Sequence, residues 1–299
     1  MHGPVLLLHD RVVSRRVTVA GLTVRVDAVD PVLAVAPPGF MQAFGAPAGA
    51  VDDLALEARW GDLPRETGRC LFDSGGVWRL YETEGAPRFG FAMDRDGRPY
   101  KTAALDFARG VGTVLVDRAT FAREPDPPDV LEYPLDELIW SHLLARADGA
   151  LLHACGVRRA GGGGDVCVAH SGGGKSTLAA LLHAAGLTVL SDEHVAVRRG
   201  ASGFVVHGTP WCGTAGLSAN ATARLERILF LEHAAEDALV PLSPALAAAR
   251  LYACSYPPAH DAALAARNLD AVAALAEAVP AYALRFRPTP AVAALLEKL

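Results

Sequence analysis

The chain reads as an α/β protein: a mixed-sheet core built around a phosphate-binding loop, preceded by a β-rich region and followed by a helical C-terminal extension. Three observations predict this. The run Ala169-His170-Ser171-Gly172-Gly173-Gly174-Lys175-Ser176-Thr177 stands between the β-prone Val166-Cys167-Val168 and a helical pattern, Leu178, Leu181, Leu182 and Ala185, that Gly186 stops. Residues 1 to about 125 carry short alternating apolar runs typical of strands. Beyond Pro244 the chain turns alanine- and leucine-rich at helical spacing.

The loop itself has a physical rationale. Three consecutive glycines let backbone N–H groups turn inward with no Cβ in the way, and the following helix aims its positive end at the same point. In such a loop Ser171, Gly172, Gly173, Gly174, Lys175, Ser176 and Thr177 form the phosphate cradle. Lys175 reaches the β/γ-phosphates, and the Ser176 hydroxyl takes one position on Mg²⁺. Ala169 stands where the pattern GxxxxGK[ST] usually has its first glycine. Lysine is scarce here, at positions 101, 175 and 298 only against 28 Lys plus Arg, so lysine at 175 looks chosen. The plainer reading is an ordinary glycine-rich turn before a helix.

In chain order, Arg16–Val19 and Leu22–Val26 flank Ala20-Gly21 as a hairpin, and Val77–Thr83, Phe89–Met93 and Thr113–Val116 add strands. Asp96-Gly97 reads as a tight turn, and Pro37-Pro38-Gly39 and Gly45–Gly49 as loops. Pro125-Asp126-Pro127-Pro128 is the candidate linker, dividing a β-rich domain (1–125) from a phosphate-loop domain (130–299). A helix is expected over Pro134–Ala147, then a strand over Leu151–Val157 carrying His153, which is either a satisfied core histidine or a site residue. Leu187–Leu190 forms a strand ending in Ser191-Asp192-Glu193, two acids placed for Mg²⁺ and a nucleophile, or else a solvated turn. Next come the hairpin Val195–Val197 and Phe204–Val206, the loop Gly208–Thr214 with Trp211 either lining the site or buried, and a strand at Arg227–Leu231. A helix at Pro244–Ala253 follows, then one or two helices in Asp261–Ala278 broken near Asn268 and Asp270, a strand at Tyr282–Phe286, and a last helix after Thr289-Pro290. Arg285 and Arg287 share a face that points to phosphate or to solvent.

Composition narrows the function classes. A content of 51% hydrophobic and 20% charged residues over 299 positions suits a globular chain with a large core. A net charge of −5 with no Lys/Arg run argues against nucleic acid and anionic membranes as main partners. No uninterrupted apolar stretch approaches the roughly 18 residues of a membrane span, and the short run Val5–Leu8 does not resemble a secretory segment, so a cytoplasmic location is expected. Five scattered cysteines without a CxxC pair read as buried thiols.

Residues from about 134 to 232 resemble the catalytic domain of the HPr kinase/phosphorylase family, and more closely the HPr kinase-related serine kinases found beside peptide natural-product genes, including lasso peptide pathways. Leu151-Leu152-His153-Ala154 resembles the family's histidine strand, Ser171–Thr177 its P-loop, and Asp192-Glu193 its acidic pair, 17 positions after Lys175. The resemblance implies a P-loop kinase core of the HPr kinase/phosphoenolpyruvate carboxykinase type in residues 130–299. It implies transfer of the γ-phosphoryl group of ATP, with Mg²⁺, to a serine on a small protein or peptide. The catalytic set would be Glu193, Asp192, His153 and Lys175, with Ser176 and Asp192 toward the metal. Family members commonly carry two aspartates at the acidic pair, so the base is Glu193, or Asp192 with Glu193 facing the metal. The N-terminal half does not resemble the regulatory domain of true HPr kinases, and no phosphorylase signature is matched, which puts reverse phosphorolysis and HPr as acceptor in doubt. A phosphoenolpyruvate carboxykinase-like enzyme would need a further lysine and a metal-ligand set that are not evident. A non-enzymatic ATP-binding sensor and a simple ATPase compete with the kinase reading. Association with further copies of the chain stays open.

Overall fold

The computed structural model describes residues 12–29, 33, 39–63, 68–83, 87–92, 99–121 and 129–297. The expected turn at Asp96-Gly97, the Pro37-Pro38 segment and the Pro125–Pro128 linker lie outside them. The protein is mixed α/β, with two large mixed sheets and, among the described residues, six α-helices. The chain divides into two compact units: Met1–Thr18 with Thr23–Leu138, and Val19–Leu22 with Ile139–Leu299. Among the described residues no helix is long and apolar enough to cross a membrane.

The first sheet holds β1 (Val13–Val19), β2 (Leu22–Ala28), β3 (Leu54–Gly61), β4 (Cys70–Asp73), β5 (Trp78–Tyr81), β6 (Arg88–Ala92), β7 (Pro99–Asp106) and β8 (Val111–Asp117) in the order β1-β2-β3-β8-β7-β6-β5-β4. β3, β4 and β7 have no counterpart among the expected strands. The β1–β2 turn puts Ala20 and Gly21 at φ 54° and 76°, the left-handed region a two-residue hairpin turn demands. Within the first unit Lys101 is fully buried, and its Nζ donates to Val130 O (3.3 Å), Glu132 O (3.4 Å) and Glu132 Oε1 (3.4 Å). Burial pushes its pKa down, against the pull of Glu132. That lysine is a structural anchor for the 130–132 backbone.

After α1 (Arg118–Phe121) and α2 (Leu135–Arg146), the second sheet comprises β9 (Gly149–Arg158), β10 (Gly163–Val168), β11 (Thr188–Ser191), β12 (His194–Gly200), β13 (Gly203–His207), β14 (Thr222–His233), β15 (Ala238–Pro241) and β16 (Ala281–Phe286). Its order is β10-β9-β12-β13-β14-β16-β15; β11 pairs with β9, and β10 also pairs with β14, so five strands form a closed circuit of neighbours. The helices α3 (Lys175–Ala184), α4 (Pro244–Ala253), α5 (Ala262–Ala278) and α6 (Ala291–Glu297) cover it.

Strand alternation assigns the two faces. Leu152, Ala154, Val166, Val168, Ile228 and Phe230 join Leu251 of α4 and Val272 of α5 in one core. Cys155, Val157, Cys167 and Leu229 join Leu178 and Leu182 of α3 and Val292 and Leu296 of α6 in the other. A register shift opposite Gly164-Asp165 carries Leu225 and Ile228 of β14 onto the same face, as an added residue in one strand must. α5 is the single unbroken helix of the two alternatives: Asn268 is buried, and its Oδ1 accepts from Ser255 Oγ at 3.2 Å. β10, β14 and β16 are mutually parallel, so Val168, His233 and Phe286 end at one edge, where the glycine loop begins.

Candidate functional site

The glycine loop runs from Ala169 to Gly174 between β10 and α3. Gly172 and Gly174 take φ 76° and 92°, conformations that a side chain would strain. At Gly173 a Cβ would stand 2.6 Å from Ala169 Cβ, so the loop closes on itself and the alanine at 169 already fills the tightest point. Gly173 N–H donates to His170 O (3.0 Å) and Leu178 N–H to Gly174 O (2.9 Å), which starts the helix. Ser171 and Thr177 are exposed and Ser176 is half-buried.

Lys175, the first residue of α3, is buried at 6% exposure, and its ammonium donates to Ala169 O across the loop at 3.1 Å. Burial pushes its pKa down, while Glu193 is the strongest of the charges holding it up. His153 lies on β9, directly opposite His194 in the β9–β12 ladder, and on the strand face shared with Cys155. Its Nε2 is 3.1 Å from Glu193 Oε1. Burial, then the Lys175 charge, lower the His153 pKa, and Glu193 opposes both. The imidazole is therefore neutral at pH 7, and its Nε2–H donates to the carboxylate.

The acidic turn is held from several sides. Ser191 Oγ accepts from the N–H groups of Glu193 and His194 (both 3.1 Å) and donates to Trp211 O (2.6 Å). The Glu193 carbonyl accepts from Ala154 N–H at 3.0 Å. Asp192 is fully buried, and its carboxylate accepts three backbone bonds: Oδ1 from Gly213 N–H (2.8 Å) and Leu217 N–H (3.2 Å), Oδ2 from Ala215 N–H (2.9 Å). Glu193, by contrast, has a side chain 34% exposed. The two acids thus occupy different environments, one turned onto the 213–217 backbone and one beside His153.

Behind them lies an aromatic group. His194 Nε2 is 2.6 Å from Tyr256 Oη, and burial takes the His194 pKa down to about 3, so this ring stays neutral. Trp211 stands edge-on to His194 (6.0 Å) and to Trp140 (5.8 Å). Trp211 is half-buried, between the two readings its loop allows. Residues 254–256 reach the site by pairing antiparallel alongside β9, through His153 N–H to Cys254 O (2.7 Å) and Tyr256 N–H to Leu151 O (3.0 Å). Cys254 Sγ lies 3.9 Å from His170 Nδ1 in the glycine loop.

Lys175, His153 and Glu193 are therefore one electrostatic group, flanked by Asp192. His194, Tyr256 and Cys254 are additions that sequence patterns did not mark, because they arrive through β pairing and an irregular stretch after α4. Arg285 and Arg287 pair with Glu232 (3.2 Å) and Asp237 (3.6 Å) on the exposed surface. All five cysteines are free, and Cys70 and Cys212 are exposed rather than buried. Among the described residues no group of three or more His, Cys, Asp or Glu is gathered as a metal cluster. A scan against protein-family models and a search of curated proteins found no match for the chain.

Proposed function

We propose that this chain is an ATP-dependent kinase that transfers the γ-phosphoryl group to a serine hydroxyl of a small protein or peptide. The observation that carries the reading is the grouping of Lys175, at the head of a helix behind a glycine loop, with the Glu193–His153 pair bonded at 3.1 Å. A cation and loop amides suit a phosphate chain, and a carboxylate steadied by a neutral imidazole suits a hydroxyl proton.

In this mechanism Lys175 and the amides of residues 171–175 neutralise the phosphates and hold the γ-phosphorus in line with the acceptor. The Glu193 carboxylate takes the serine proton as the oxygen attacks. His153 donates Nε2–H to Glu193 Oε1 and keeps the other carboxylate oxygen for the acceptor. The half-buried Ser176 hydroxyl is a hard oxygen donor of the kind Mg²⁺ takes beside phosphate oxygens and water, so the donor chemistry fits that ion, whereas the Asp192 carboxylate is taken up by three backbone N–H groups. Bound there, Mg²⁺ would neutralise charge on the phosphate oxygens. The buried Lys101, bonded within its own unit, is not a candidate for the further lysine of a carboxykinase-like site.

The test is incubation with γ-labelled ATP, Mg²⁺ and serine-containing peptides, followed by mapping of the label. Label on a serine is the expected result. Acceptor-independent release of phosphate would make the chain an ATPase, and tight ATP binding without turnover would make it a nucleotide sensor.

A further inference from the structure

We propose that Asp192 is a positioning residue: its carboxylate clasps the 213–217 backbone and holds Gly213 against Glu193, building the wall along which an acceptor hydroxyl reaches the base. The proposal rests on the kinase reading of the site. A carboxylate offers about four lone-pair positions, and three of those on Asp192 already accept N–H groups from Gly213, Ala215 and Leu217. The same residue's N–H donates back to Leu217 O at 3.2 Å, and Ala219 N–H donates to Leu190 O at 3.0 Å, so the segment is latched along its length. Ser191 Oγ adds a bond to Trp211 O on the other side of Gly213.

The glycine at 213 shows how close this approach is. A Cβ built there would stand 2.7 Å from Glu193 Oε2 and 2.9 Å from Asp192 Oδ2. A side chain there would push on both carboxylates, and the Asp192 one, held by three backbone bonds, has little freedom to move away. Cys212 and Thr214, on either side, are exposed. They form the rim that an incoming peptide meets first. Asp192 therefore acts on the reaction through the loop, and Glu193 acts on the proton.

The test pairs amide hydrogen exchange with steady-state kinetics. In Asp192→Asn the side chain keeps one acceptor oxygen, so amides among Gly213, Ala215 and Leu217 lose a charge-assisted bond and should exchange about tenfold faster or more. Glu193→Gln should leave those amides unchanged. Asp192→Asn should also raise the acceptor KM while ATP affinity and its Mg²⁺ dependence stay parental. Parental exchange in Asp192→Asn overturns the clasp. So does weakened Mg²⁺-dependent ATP binding that added Mg²⁺ restores, because that pattern assigns Asp192 to the metal. Gly213→Ala probes the same contact from the loop side if Asp192→Asn does not fold. It should cut acceptor phosphorylation at least tenfold with nucleotide-dependent thermal stabilisation retained, and parental phosphorylation would refute the wall. If the parent chain moves no phosphate, the kinase reading and the acceptor wall fail together, while the exchange result alone decides the clasp.

Discussion

Arg227→Met should loosen the strand that delivers the glycine loop, and the size of the effect follows from what the guanidinium touches. Asp165 on β10 and Arg227 on β14 face each other in register. Arg227 Nε and Nη2 donate to the two Asp165 oxygens at 2.8 and 2.5 Å, and Nη2 also donates to Leu296 O of α6 at 2.9 Å. Asp165 is fully buried, and burial raises its pKa even with the arginine present. Removing the arginine leaves that carboxylate and the Leu296 carbonyl without their main partner. Breaking one side of a buried pair costs about 3–5 kcal/mol. Arg159 Nε remains 3.4 Å from Asp165, so the loss should fall near about 3 kcal/mol, the lower end of that range. The assay is native-state amide exchange of β10 and β14, which reads this sheet separately from the first unit. The deficit should shrink in acid, because a protonated Asp165 no longer needs a cation. Asp165→Asn combined with Arg227→Met should recover much of the loss. A single-variant cost under about 1 kcal/mol, or a double variant no better than the single, would refute this account of the β10–β14 pair.

Two further predictions concern Lys175 and two buried histidines. Lys175→Ala should keep the fold yet lose most nucleotide-dependent thermal stabilisation, and Lys175→Arg should fail similarly because a planar fork cannot replace a compact ammonium closing on Ala169 O; parental stabilisation in either would count against phosphate binding. His194 and His207 have pKa values taken by burial from the ordinary 6.5 down to about 3 and about 4. Their folded pKa values lie below the unfolded ones, so stability is complete above pH 6.5 and declines as the unfolded chain takes up protons first. The slope between pH 6.5 and 4 should approach about 2.7 kcal/mol per pH unit for two such protons. Replacing both histidines by asparagine should flatten the profile in urea unfolding between pH 4.5 and 8, and an unchanged slope would contradict their neutral burial.

The candidate site is easier to pick out in the sequence than the framework that carries it. Lys175, the glycines and the acidic turn are marked by residue type and short spacing, which survive without tertiary information. The different environments of Asp192 and Glu193 are hidden in the sequence, because the partners of Asp192 are backbone N–H groups more than twenty positions downstream, and backbone donors have no residue signature. β7 was missed for a related reason: it buries Lys101 and Thr102, and the carbonyls that satisfy Lys101 come from residues 130 and 132. In β3, alanine at 55 and 58 blurs an alternation that burial makes plain at Leu54, Leu56 and Ala58. Whether α5 is one helix or two is not legible in the sequence, because a buried, hydrogen-bonded asparagine has the same residue type as a helix stop.

The most direct measurement of the central claim is single-turnover transfer of labelled phosphate by the parent chain and Glu193→Gln at matched ATP occupancy. The substitution removes a charge with little change in volume and leaves Lys175 and the loop amides in place. Parent protein should label a serine, and Glu193→Gln should do so about 10²- to 10⁴-fold more slowly at nearly unchanged ATP affinity, the usual contribution of one general base. The His153 titration should also move further down in the variant, since Glu193 is the group holding it up. Transfer by Glu193→Gln at the parental rate, or ATP bound by the parent with no phosphate reaching any serine, would contradict the account.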